Sequence, residues 1–107
     1  MENQSSYPRP PKPVARQLVR FFARNGYVRG QNRQRVRDEG WDQYKKGHEV
    51  RLIAGSKQEL ALIQDLLEKA GFKPGRPFEK GAQYCQPVYG RRAVVRFLQM
   101  VGDESDV

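Results

Sequence analysis

The chain has 107 residues and a formal charge of +8, which allows one modest core and favours polyanionic partners, nucleic acid before anionic membrane. A single cysteine, Cys85, and a single histidine, His48, exclude an internal disulfide and any multi-cysteine metal site, so a reducing, cytoplasmic setting is expected. No run approaches the ~18 to 20 apolar residues of a spanning helix and the first residues lack the apolar segment of a signal peptide, so no membrane partner is expected.

Residues 1–13, MENQSSYPRPPKP, are polar and proline-rich, without the apolar periodicity from which a packed element is built, and read as a flexible basic arm. A helix is expected from Pro13 or Val14, where proline suits a first turn, to Asn25-Gly26, a pair suited to a left-handed cap. Val14, Leu18, Phe21 and Phe22 mark its core face, while Arg16, Arg20 and Arg24 recur four apart on another. From Tyr27 the pattern changes to alternation, and an extended strand would put Arg29, Arg33, Arg35 and Arg37 on the same face as Tyr27. Between Asn3 and Arg37 there are nine basic residues and no acidic one, a bias that a merely solubilising surface does not require.

After a turn at Asp38-Glu39-Gly40 and a loop holding Trp41, Tyr44, Lys45 and Lys46, the segment EVRLIA (49–54) alternates as a strand with Val50, Leu52 and Ala54 inward. Ser56 and Glu59 form a capping-box pattern ahead of a helix whose stripe, Leu60, Ile63, Leu67 and Ala70, closes at Gly71. Residues 72–78 carry two prolines and a glycine and predict a loop or short edge strand. A strand is expected over 83–89, weakened by Pro87, then a helix over 91–101 with Val94, Leu98 and Val101 aligned, and a frayed acidic tail over 102–107. The result is one α+β domain over 14–101, ordered α-β-β-α-β-β-α, with a mostly antiparallel four-stranded sheet covered by helices on one face.

Three stretches, FFARNGYV, LIAGSKQELALIQDLLEKAGF and VYGRRAVVRFL, together make the chain resemble the LAGLIDADG homing endonuclease repeat across nearly all of 14–101. The resemblance implies that the first helix leads into a strand lying in the major groove of DNA, with Gly26 at the family's glycine. It also implies a loss of chemistry. Asn25 stands where the metal-holding acidic residue belongs, Ala23 stands at the earlier acidic position, and Arg20 replaces the small residue of the helix-pairing surface. An amide beside Arg24 is a poor ligand for Mg²⁺, so a non-cutting relative with no metal and no cofactor is expected, as a monomer or weak homodimer.

The expected nucleic-acid contacts are therefore Arg16, Arg20 and Arg24 on the first helix, Tyr27, Arg29, Arg33, Arg35 and Arg37 on the strand, and Lys45 and Lys46 after it, with DNA slightly favoured over RNA. No catalytic residue is assigned: His48 and Cys85 lack an orienting motif, GFKPGRPFEKG lacks the ending of a phosphate loop, and the acidic residues fit caps and helix-surface pairs such as Asp65 with Lys69. Two other readings stand beside nucleic-acid binding: a protein-interaction module whose charge is incidental, and a residual metal-dependent nuclease.

Overall fold

The computed structural model describes residues 9–30 and 48–105. Its elements are α1 (Lys12–Asn25), β1 (Tyr27–Arg29), β2 (Glu49–Ala54), α2 (Lys57–Lys69), β3 (Phe78–Lys80), β4 (Gln83–Tyr89) and α3 (Arg91–Ser105). The strands form one antiparallel sheet in the order β1-β2-β4-β3. This is the α+β architecture expected from the sequence.

Among the described residues, α1, α2 and α3 lie against one face of the sheet. Val50, Leu52 and Ala54 of β2 and Val88 of β4 share a buried cluster with Ala15 and Leu18 of α1, Ile63, Leu66 and Leu67 of α2, and Val94, Phe97 and Met100 of α3. Phe97 is fully buried and meets Phe22 and Phe72 at ring-centroid distances of 5.4 and 5.6 Å in tilted geometries, the arrangement aromatic quadrupoles prefer.

The local devices explain why the elements stop where they do. Ser56 Oγ accepts the Glu59 N–H at 3.1 Å and Glu59 returns a carboxylate oxygen to the Gly55 N–H at 2.8 Å, satisfying two donors at the start of α2. At the other end Phe72 N–H bonds Leu67 O at 2.8 Å and Gly71 N–H bonds Glu68 O at 3.0 Å, with Gly71 at φ +85°, a Schellman motif that needs its glycine.

Several expectations are corrected. Helix α1 begins at Lys12, and Gly26 is extended at φ −77°, ψ 160° rather than left-handed. Glycine is needed there for room: a Cβ would lie 2.8 Å from both Cα and Cδ1 of Phe22. In α3 the inward residue is Phe97, and Leu98 is 43% exposed, because spacings of three and four both continue a stripe from Val94 and the larger ring fills the core. The helix also runs on to Ser105, where Glu104 pairs with Arg16 at 3.5 Å and Asp103 lies 4.0 Å from the exposed Arg9.

Pro87 does not weaken β4, although that strand is central. Its carbonyl accepts the Gly75 N–H at 2.8 Å, and since a strand residue's N and O point to the same side, its missing donor faces the loop rather than β2. There β3 has already ended, its last pairing on that side being Phe78 with Cys85.

Candidate nucleic-acid interface

Strand register settles which side chains share the face turned away from the helices. Tyr27 is opposite Arg51 and Arg29 opposite Glu49. Those two β2 residues are in turn opposite Pro87 and Tyr89, while Ile53 is opposite Cys85, which faces Phe78. The alternation of side chains then places Tyr27, Arg29, Arg51, Phe78 and Lys80 on that one face.

This face is bridged, not bare. From the two edge strands Tyr27 and Lys80 reach over the central pair, and Lys80 Nζ donates to Tyr27 Oη at 3.0 Å while Arg51 donates to the same oxygen at 3.1 Å. Arg51 also bonds the Glu49 carboxylate and sits 5.2 Å from the Phe78 ring centroid and 5.9 Å from that of Tyr27. On the same face of the central strands, Ile53, Cys85 and Glu49 are buried.

The bridge shapes the electrostatics. The hydrogen bonds from Lys80 and then Arg51 stabilise the phenolate and hold the Tyr27 hydroxyl below the usual tyrosine range. Burial works against the Arg51 charge, but its hydrogen bonds to Tyr27 and Glu49 outweigh that and raise its pKa. Burial pushes the Cys85 thiol up, which disfavours the thiolate a nucleophile would need. Glu49 is the acidic residue among the described side chains of this face, so the cations Arg29, Arg51 and Lys80 outnumber it.

The arginines of α1 divide. Arg24 donates to both carboxylate oxygens of Glu59, at 2.6 and 3.2 Å, and to Ile53 O at 3.0 Å, with its guanidinium 5.1 Å from the Phe21 ring. It ties the end of α1 to the start of α2, and its charge is matched. Arg16 is partnered by Glu104. Arg20 and Arg29 are exposed and have no ion-pair partner among the described residues. The acidic partners missing from the sequence near these arginines come from α2 and α3.

Of the other sequence-predicted contacts, Arg33, Arg35, Arg37, Lys45 and Lys46 lie outside the described residues, as do Trp41 and Tyr44. Asn25 is the exposed last residue of α1, and among the described residues no three His, Cys, Asp or Glu side chains form a group able to hold a metal ion. Nor, among them, is any helix long and apolar enough to cross a membrane. Sequence reasoning missed Arg51, Phe78 and Lys80. The inward assignment of Val50 and Leu52 already implied that Arg51 points the other way, but Lys80 needed the strand order.

No family model, curated protein or solved structure matches this chain.

Proposed function

We propose that the protein is a small nucleic-acid-binding domain that uses the sheet face turned away from α1, α2 and α3, with the exposed Arg20 of α1 added by charge alone, to hold a polynucleotide without cutting it. The observation that carries this reading is the placing of Arg29, Lys80, Tyr27 and Phe78 on one face, around an Arg51 paired with Glu49, in a chain of formal charge +8. Cations gain affinity there by releasing counterions from the backbone, and the exposed Phe78 ring is available to stack on a base. DNA is favoured slightly over RNA on the LAGLIDADG resemblance of the sequence alone. Arg33, Arg35, Arg37, Lys45 and Lys46 belong to the same proposal by charge alone, whereas Arg16 and Arg24 have structural partners.

The testing experiment is fluorescence-anisotropy titration of duplex DNA, single-stranded DNA and RNA at several salt concentrations. Binding that weakens steeply with salt supports the reading. Salt-independent capture, or none, favours a protein-interaction module.

A further inference from the structure

A second basic surface lies beyond the sheet face. The chain leaving α2 forms one wall of a groove of about 630 Å³, and the end of β4 with the first half of α3 forms the other. Lys73, Arg91, Arg92 and Arg96 line it, with Phe72 and Tyr89, and its lining contains no Asp or Glu. Arg96 is fixed in place: its guanidinium donates to Gly71 O at 3.1 Å and Ala70 O at 3.2 Å and lies 4.5 Å from the Phe72 ring centroid. These carbonyls fix the position of that cation at the groove wall. Lys73, Arg91 and Arg92 are exposed and have no acidic partner among the described residues. The groove adjoins the sheet face, because Tyr89 lines it and is also the register partner of Glu49, which is opposite Arg29.

We propose that this groove takes the sugar–phosphate backbone of a polynucleotide as it leaves the sheet face past Arg29, with phosphates on Lys73, Arg91 and Arg92. The inference rests on the nucleic-acid reading above and extends its footprint to the start of α3. Three exposed cations, Lys73, Arg91 and Arg92, suit successive phosphates, which contribute affinity without sequence preference. The volume also falls in the range of about 300 to 1,000 Å³ that encloses small ligands, so a free nucleotide shares the chemistry and has to be separated by experiment.

The experiment is an NMR titration of the full chain with an oligothymidylate and an oligouridylate of about a dozen nucleotides, with AMP and inorganic phosphate as separate arms. Oligonucleotides are expected to shift the amides of Lys73 and Gly90 to Ala93 together with those of Tyr27 and Arg29, and AMP and phosphate to shift them little at the same concentration. A Lys73→Ala/Arg91→Ala/Arg92→Ala variant is expected to melt as the parent does and to lose about 2 units of log-log salt slope, at about 0.7 per single-strand phosphate contact. Shifts confined to the sheet face, with the parent's slope kept in the variant, overturn the groove and leave the sheet-face reading standing. Saturation by AMP or phosphate alone overturns the backbone assignment, and a parent that binds no oligonucleotide overturns both readings.

Discussion

Tyr27 and Lys80 stand on opposite edge strands and meet above the sheet, Nζ to Oη at 3.0 Å. A single hydrogen bond thus spans the face proposed to hold nucleic acid, with two central strands beneath it. A polynucleotide docking there meets a phenol already engaged by two cations, and phosphate competes for the donors that the phenol now occupies.

The bridge has a spectroscopic consequence. Lys80→Met removes the larger of the two hydrogen-bond effects on Tyr27, so the phenol should titrate at higher pH than in the parent by ultraviolet difference absorbance. Because the folded value lies below the unfolded value of about 10, the contribution of Tyr27 to stability is present above that value and is lost as pH falls through the folded one. Unchanged titration in Lys80→Met would show that Arg51 alone sets the phenol.

Arg24 is expected to act on stability. Arg24→Ala should cost about 1 kcal/mol, the upper end for a partly exposed pair, with melting temperature as the readout. The Arg24 guanidinium, then the Gly55 N–H, hold Glu59 below the usual carboxylate range. The pair therefore contributes fully above the unfolded glutamate value of about 4.3, and the contribution is lost as pH falls through the lowered folded value. Glu59→Gln should be less stable than the parent at pH 7 and converge on it in acid.

Core packing separates two neighbours in α3. Phe97→Ala should cost about 3 to 5 kcal/mol and Leu18→Ala about 2 to 5 kcal/mol in urea unfolding, because both side chains are fully buried. Leu98→Ala should stay within about 0.5 kcal/mol. Gly26→Ala should destabilise despite its ordinary φ, since the added Cβ meets the Phe22 backbone, and overpacking of this kind costs about 1 to 3 kcal/mol.

These contrasts show what a sequence can reveal. The inward face of β2, the Ser56–Glu59 cap and the Gly71 stop are local signals, set by alternation, spacing and a left-handed residue. Phe97 and Leu98 could not be told apart, because the stripe in α3 accepts either and only the rings of Phe22 and Phe72 decide. The Glu59 partner of Arg24 lies 35 residues away and the Lys80 partner of Tyr27 lies 53 away. Such pairs depend on strand order and helix placement, so an arginine ladder that looked free in the sequence is partly neutralised in the fold.

Cleavage is expected to be absent. Supercoiled plasmid incubated with the protein and Mg²⁺ or Mn²⁺ should remain supercoiled, because the position that the LAGLIDADG resemblance would give to a metal-holding carboxylate carries the neutral amide of Asn25. Nicking that disappears in Asn25→Ala would assign that amide a catalytic role.

The most direct test of the sheet-face claim is the salt dependence of duplex DNA binding, measured in parallel for the parent, Arg29→Ala and Lys80→Ala. The parent should show Kd rising steeply with salt, and each variant that removes one phosphate contact should lower the log-log slope by about 0.9 while folding normally. A parent whose binding is indifferent to salt, or an Arg29→Ala/Lys80→Ala double variant that binds with the parent's affinity and slope, would contradict the account.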